Sequence, residues 1–320
     1  MKLVISGPER DQYVEAVRVL LDGKLPSGWE WVDSSANSIV ARRMKPKPVY
    51  YKEFLSRTPF EGIKNLLRGS RCQRAIIKGK MLRQRGFHSP IVSCWGKKGN
   101  RHFMVSEGIE ASGLGDYIGK HWSHPLSGAE ILAKRRVVKK FGKIIGELHK
   151  NGICHGDLRI NNILVQETTD DVIFYFVDNE RNTLFKRIPR RLIRKNLVQI
   201  NLFQSPHITR QDRQRFFQAY CVSSGGLNPA EKLALFERVQ RRTAKRLAKK
   251  ADKEKRAGQS STRPKYLGSQ CGRFHPVLSG VWSLSIQPLI IFSKKTGIPT
   301  HFFSTVVLSS NQAVRPARRW

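Results

Sequence analysis

The sequence has few cysteines and no long apolar run, and both absences limit what the protein can be. Its five cysteines are scattered over 320 residues without any C-x-x-C spacing, which argues against a zinc site or disulfide framework and favours a reducing compartment. The longest uncharged run, Val277–Phe292, contains three Ser, a Gln and a Pro and is short for a membrane span. The N-terminus has no signal-peptide pattern. We therefore expect a cytoplasmic protein.

Acidic residues are also scarce. The chain has 24 Asp and Glu against 59 Lys and Arg, a formal net charge of +35. A charge of this size predicts an anionic partner, such as nucleic acid, an anionic membrane face or a phosphorylated glycolipid. Residues 62–106 contain no acid and eleven Lys and Arg, and residues 258–320 contain no acid and no regular apolar period. The second stretch is therefore predicted to be a disordered basic tail.

The apolar pattern predicts strands in the first third of the chain and mainly helices after it. Predicted strands cover 102–109, 163–165 and 172–177, and residues 38–55 predict two more around a Lys/Pro turn. Predicted helices cover 62–86, 130–150, 190–203, 210–221 and 229–250. An apolar helix followed by a polar loop and then by a short strand is an arrangement that often positions catalytic residues.

That polar loop reads HGDLRINNILV over residues 155–165. Phosphoryl transfer from ATP requires a carboxylate to orient the attacking hydroxyl, oxygen ligands for Mg²⁺ and a cation on the phosphates. In the pattern H-x-D-x-x-x-x-N, Asp157 is the predicted catalytic carboxylate and Asn162 a metal ligand. Asp178, directly after the next strand, is the predicted second metal ligand, and Lys52 in VYYKEF is the predicted phosphate-binding cation.

Other interpretations of these residues remain open. Asp157 and Asn162 favour turns in any protein, and Asp178 alone could cap a strand. Glu180 is either an additional metal ligand or a surface acid. Lys52 has two features against it, because no G-x-G-x-x-G precedes it and the following helix has no acid to pair with it. Either another group holds Lys52 or it is not the phosphate-binding lysine.

Together these segments resemble the bacterial lipopolysaccharide core kinases, the Kdo/heptose kinase family within the protein-kinase-like superfamily. The resemblance covers roughly residues 38–247. It rests on segments that run from the predicted phosphate-binding strand to the last helices, namely YYKEFL, KNLLRGSRCQRAIIKGKMLRQRGFHSP, MVSEGIE, HGDLRINNILV, FVDNERN, RRLIRKNLVQIN and TRQDRQRFFQAY. Members of this family often lack the glycine-rich loop and the helix acid.

The resemblance implies a bilobal α+β fold of the protein-kinase type, with a small β-rich N-lobe and a mainly helical C-lobe. The lobes would span residues 1–109 and 110–257, with the catalytic loop at 155–165 and the metal segment at 178–180. It further implies ATP and Mg²⁺ between the lobes, with adenine against the hinge residues Glu107 and Ile109.

The implied acceptor is a sugar hydroxyl of the lipopolysaccharide inner core, Kdo or heptose. The enzyme would then be a cytoplasmic kinase at the periphery of the inner membrane. The partners expected are the lipid A–core acceptor and the anionic membrane surface, with nucleic acid disfavoured. On the predicted helix 62–86, Arg71, Arg74 and Lys78 are expected to contact the anionic acceptor.

Two alternative functions remain open, the first a kinase on the same scaffold and the second of another class. The same loop occurs in small-molecule and protein phosphotransferases. Only the Arg-rich helix and the C-terminal helices distinguish lipopolysaccharide kinases from these enzymes. A basic anion-binding pseudokinase is the second alternative. The presence of Asp157, Asn162 and Asp178 together disfavours it.

Overall fold

The computed structural model describes residues 3–34, 36–55, 68–169 and 171–260, which all fall within one compact unit, Met1–Pro264. Its strands are β1 Leu3–Ser6, β2 Trp29–Val32, β3 Ser38–Arg43, β4 Val49–Phe54, β5 Val92–Lys98, β6 Arg101–Glu107, β7 Ser112–Gly113, β8 Ile153–Cys154, β9 Ile163–Glu167, β10 Val172–Phe176 and β11 Thr183–Leu184. Its helices are α1 Arg10–Leu21, α2 Arg71–Gln84, α3 Leu114–Trp122, α4 Gly128–Lys150, α5 Arg190–Asn201, α6 Arg210–Ser223 and α7 Pro229–Ser260. Two 3₁₀ turns, Ile160–Asn162 and Asn179–Arg181, lie in the loops after β8 and β10.

The first six strands form one antiparallel sheet in the order β1-β5-β6-β4-β3-β2. Helix α1 covers one face, where Val17 and Leu20 pack with Tyr51 and Phe103 of the central strands in one buried cluster. The predicted strands at 38–55 and 102–109 are therefore present. Their alternation places Tyr51 in this core and Lys52 on the other face of β4.

The remaining described residues are mainly helical, with short sheets β10-β9-β7 and β11-β8. Helix α4 is their central element, and its residues Val137, Phe141, Ile145 and Leu148 are buried as the helical period predicts. It packs closely on α6, and the absence of a side chain at Gly142 permits this approach. A Cβ there would lie 2.3 Å from the carbonyl oxygen of Phe216. The combination of a sheet and a helical part confirms the predicted α+β class.

Helix α2 begins at Arg71, whereas the sequence predicts one helix over residues 62–86. Gly69 has a φ of +72°, and Ser70 caps α2 in a capping box with Gln73. Residues 56–67 lie outside the described part, as do residues 261–320 of the predicted tail. The C-terminal end follows the prediction, because Gly86 with a φ of +78° follows the helix.

The predicted division into segments 1–109, 110–257 and 258–320 stays a prediction, although α7 continues to Ser260. Among the described residues, no helix combines the length and apolarity that a membrane span requires.

Candidate active site

An open cleft of about 320 Å³ lies between the six-stranded sheet, α2 and the loops after β8 and β10. Five of the six predicted site residues line it: Lys52, Glu107, Ile109, Asn162 and Asp178. The floor and walls also include Val40, Ala75, Gly79, Met104 and Leu164. Residues from β4, the end of β6 and both loops therefore meet at one place, although they are far apart in the sequence.

The sixth predicted residue, Asp157, lies in the HGD loop (residues 155–162) and is partly buried. Arg159 donates to both of its carboxylate oxygens, at 2.7 Å from Nε and 2.5 Å from Nη2. Gln199 of α5 donates to Oδ1 at 3.0 Å. Burial would raise the pKa of Asp157, but the hydrogen bonds and charge of Arg159 outweigh burial and hold the pKa below its usual value. Asp157 is therefore ionised at neutral pH.

Asn162 is joined to the same loop by its side chain. Its Nδ2 donates to the carbonyl oxygen of Asp157 at 2.8 Å. The amide oxygen is then the atom of Asn162 that a cation could bind. This contact spans five residues of the motif and explains why the spacing from Asp to Asn matters.

A buried polar network supports the HGD loop from below. Asn196 of α5 donates to the carbonyl oxygen of His155 at 2.6 Å, and His149 of α4 lies 3.1 Å from the Asn196 side-chain oxygen. Gln199, which binds Asp157, also accepts from the backbone N–H of Leu158 at 3.3 Å. Burial lowers the pKa of both His149 and His155 to about 4. Both imidazoles are therefore neutral structural groups at pH 7.

Gly156 explains the middle letter of the HGD motif. A Cβ at this position would lie 2.1 Å from the Cβ of Arg181 and 2.4 Å from its carbonyl oxygen. The HGD loop and the turn after Asp178 thus approach more closely than any side chain at 156 would allow. The glycine therefore allows the loop that contains Asp157 to lie against the turn that follows Asp178.

Asp178 follows β10 in a left-handed backbone conformation, with a φ of 56°. This conformation is uncommon for a residue other than glycine and is frequent at functional sites. The Asp178 carboxylate forms an ion pair with Lys52 across the cleft. The two predicted partners of Mg·ATP are therefore in contact, and Lys52 has found an acid outside helix α2.

The structure removes one of the two roles that the sequence left open for Glu180. Its side chain is buried and pairs with Arg71 of α2, with Nε and Oε2 2.9 Å apart. Glu180 is therefore not a surface acid; it also lines the cleft next to Asp178, and its role as an additional metal ligand stays a prediction. The same pair corrects the prediction for Arg71, because this side chain is buried and unavailable to an external acceptor. Arg74 and Lys78 are partly exposed.

The hinge lies where β6 ends. The backbone N–H of Glu107 donates to Ile91 at 2.8 Å, and the Glu107 carboxylate accepts from the Ile91 N–H at 2.7 Å. Gly108 donates to the carbonyl oxygen of Pro48 at 2.7 Å, and a Cβ there would lie 2.7 Å from the Pro48 ring. These contacts fix the hinge backbone against β4 at the edge of the cleft.

The donor set fits a hard cation. Asp178 presents a half-exposed carboxylate and Asn162 an amide oxygen to the cleft, and both are ligand types that Mg²⁺ takes together with phosphate oxygens and water. Within the described ranges there is no cluster of three His, Cys, Asp or Glu side chains that could hold a metal. A cation at this site would take its remaining ligands from phosphate oxygens and water.

Comparison with known proteins bears on this geometry directly. The sequence model of the lipopolysaccharide kinase (Kdo/WaaP) family matches residues 92–220, which include the hinge, the HGD loop and Asp178. The resemblance to this family is confirmed. The match supports phosphotransferase chemistry, as the sequence predicts.

Two individual proteins show how far the likeness extends. The structure of WaaP in complex with acyl carrier protein aligns with 77% of this chain and 99% of its own, at 18% identity and a TM-score of 0.53, which confirms the protein-kinase-like fold. Protein kinase kin1 of Schizosaccharomyces pombe is 31% identical over 91 residues, or 28% of this chain. That stretch is only 9% of the length of kin1.

Several supporting residues were not predicted from the sequence. Asn196 and Gln199 lie on α5, and their polar character inside an otherwise amphipathic helix is the signal that could have identified them. Arg159 was visible in the loop, but no spacing rule predicted that it would bind Asp157. The partner of Arg71 could not be identified from local sequence, because 109 residues separate it from Glu180.

Proposed function

We propose that this protein is a kinase that transfers the γ-phosphoryl group of ATP to a sugar hydroxyl of the lipopolysaccharide inner core, with Mg²⁺ as cofactor. The observation that carries the proposal is the meeting of Lys52, Asn162 and Asp178 in one cleft, beside the loop that holds Asp157 ionised. The match to the Kdo/WaaP family supports lipopolysaccharide core as the acceptor class. Kdo and heptose remain equally compatible acceptors.

Each predicted residue has a role that its surroundings support. Asp157 would accept the hydrogen bond of the attacking hydroxyl and take its proton. The acceptor oxygen then forms its bond to the γ-phosphorus as the bond to the β–γ bridging oxygen breaks and ADP leaves. Lys52 would bind the non-transferred phosphates, and Asn162 and Asp178 would hold Mg²⁺, which neutralises developing charge when it is bound. The hinge backbone at Glu107 and Ile109 would contact adenine.

The surroundings of Asp157 support an anionic acceptor. The side chains of Arg159 and Arg181 are 65% and 51% exposed, and Lys195 is exposed with its Nζ 3.1 Å from the carbonyl oxygen of Gly156. Three cations thus surround the position where the acceptor hydroxyl must lie. A phosphate or carboxylate next to that hydroxyl on the lipid A–core acceptor would be attracted to them.

The long helix α7 supports a location at the anionic face of the inner membrane. Its last buried residue is Thr243, and residues 245–256 contain seven Lys and Arg against two acids. Exposed cations of this density bind anionic headgroups at roughly 1 kcal/mol each. We therefore place the enzyme in the cytoplasm, peripheral to that membrane.

The decisive experiment is ATP turnover by the purified full chain with three acceptors: lipopolysaccharide core oligosaccharide, a neutral free sugar and a protein serine substrate. The proposal expects Mg-dependent phosphate incorporation into the core oligosaccharide alone. Incorporation into the free sugar or the protein, with core oligosaccharide inert, would instead identify a small-molecule or protein phosphotransferase. Anion binding without ATP turnover would identify a pseudokinase.

A further inference from the structure

Helix α2 packs against the 3₁₀ turn Asn179–Arg181, directly after Asp178. In protein kinases a strand lysine pairs with an acid on the helix at this place, and the pair must form for activity. Helix α2 contains no acid. Its contact with the turn is instead the pair of Arg71 and Glu180, whose side chains are 7% and 9% exposed. In this chain, therefore, the cation of the pair lies on the helix and the acid lies in the turn after Asp178.

Arg71 joins more than two elements. Besides pairing with Glu180, Arg71 donates from Nη1 to two backbone carbonyl oxygens. These are the oxygen of Asn37 at 2.9 Å and the oxygen of Leu55 at 3.2 Å. Its guanidinium lies 5.1 Å from the centroid of the Phe54 ring. A planar guanidinium with five donors can make these contacts together, whereas a lysine ammonium cannot. Arg71 thus connects the beginning of β3 and the end of β4 with the turn after Asp178.

These contacts lie next to the residues that would bind Mg·ATP. Phe54 is two residues after Lys52 on the same face of β4, and the Lys52 Nζ lies 5.6 Å from the Phe54 ring centroid. Glu180 is two residues after Asp178. The pair of Lys52 and Asp178 is partly exposed, so phosphates and metal can replace it. The pair of Arg71 and Glu180 is buried and can persist when nucleotide binds.

We propose that Arg71 and Glu180 are positioning residues that hold Asp178 at the correct distance from Lys52 while Mg·ATP is bound. This pair has the function of the strand-lysine and helix-acid pair of protein kinases, with the charges exchanged between helix and loop. The inference rests on the proposed function, because it assumes that Asp178 binds Mg²⁺. It assigns Arg71 and Glu180 a role that acts through the position of Asp178.

The test measures nucleotide binding as a function of Mg²⁺, with a fluorescent ATP analogue and no acceptor. The variants are Glu180→Gln, which keeps the shape and removes the charge, and Arg71→Lys, which keeps the charge and removes the planar set of donors. Groups that orient a metal ligand typically affect metal affinity by about 10- to 100-fold. We therefore expect both variants to need roughly tenfold more Mg²⁺ for half-saturation, with binding of Mg-free nucleotide unchanged.

A matched control separates positioning from stability. Lys134 and Asp212 form another buried ion pair, 2.9 Å apart, between α4 and α6. Lys134→Met should lower the melting temperature without changing the Mg²⁺ requirement. If Glu180→Gln and Arg71→Lys also lower only the melting temperature, the inference is wrong and the pair is structural. If the unaltered protein shows no Mg-dependent nucleotide binding, the proposed function fails first, and this outcome is distinguishable from the other.

Discussion

The HGD loop and helix α2 both line the nucleotide cleft, but different kinds of contacts hold them in place. The loop is held by several hydrogen bonds from two helices, through Asn196, Gln199 and His149, and by its own bond between Asn162 and Asp157. Helix α2 packs in the apolar core through Met81 and Leu82, and within the described part of the chain its buried ion pair with the turn Asn179–Arg181 is that of Arg71 and Glu180. The loop can therefore lose one hydrogen bond and keep the others, whereas the electrostatic contact of α2 with the turn Asn179–Arg181 depends on Arg71.

The largest expected effect tests the side of the cleft that α2 stabilises. Asp178→Ala removes a carboxylate from a cation that prefers carboxylate oxygen. We expect Mg-dependent ATP binding to be lost, as measured by calorimetry with and without Mg²⁺. Asp171→Ala is the control, because Asp171 lies at the other end of β10 and pairs with Lys140. Unchanged Mg·ATP affinity in the Asp178 variant would place the metal site elsewhere.

The next largest effect belongs to the HGD loop. Asp157→Asn should leave ATP affinity nearly unchanged and lower kcat by on the order of 10²-fold or more, since the carboxylate acts mainly in the transition state. Steady-state kinetics together with equilibrium ATP binding would measure both quantities. Turnover at the unaltered rate would remove Asp157 from the catalytic role.

These two sides of the cleft also differ in how much the sequence could predict. The HGD motif predicted the loop well, because the contact between Asp157 and Asn162 is made within the motif and its spacing follows from that geometry. The strand before Asp178 had a clear apolar pattern. Arg71 was misassigned to the surface, because its burial depends on Glu180, 109 residues later.

Gly156→Ala tests how closely the loop must approach the metal segment. The added methyl group overlaps the backbone of Arg181, so the HGD loop must move away from the turn after Asp178. A displacement of about 1 Å is enough to lower kcat by roughly 10²-fold. Gly119→Ala on α3 makes the same chemical change where nothing lies within 4 Å, and it should leave kcat unchanged. A fully active Gly156 variant would show that the loop tolerates separation.

A smaller effect concerns the ionisation of Asp157. Because its pKa is lowered, kcat/KM should stay constant as the pH falls from neutrality. It should decline only below the pH at which an ordinary aspartate becomes protonated. Arg159→Gln removes the cation while burial remains, so the pKa of Asp157 rises and the acid limb moves to higher pH. Arg181→Gln should move the limb less, because Arg181 acts on Asp157 by charge alone. An acid limb that does not move in either variant would assign the titration to another group.

The smallest expected effect concerns the exposed cations of α2, in contrast to the buried Arg71. Of the three cations of α2 that the sequence predicts to contact the acceptor, Arg71 is buried, whereas Arg74 and Lys78 are partly exposed and can still attract an anion. Salt should raise the apparent KM for lipopolysaccharide steeply and that for ATP slightly. Arg74→Ala with Lys78→Ala should raise the acceptor KM by roughly threefold to tenfold at low salt, the scale of two exposed charges.

The control pair, Lys139→Ala with Lys143→Ala, changes two cations of α4 that line the groove against α6 and should leave both constants unchanged. Equal salt sensitivity for the two substrates, or an equal effect of the control pair, would show that the α2 charges are only a solvated surface.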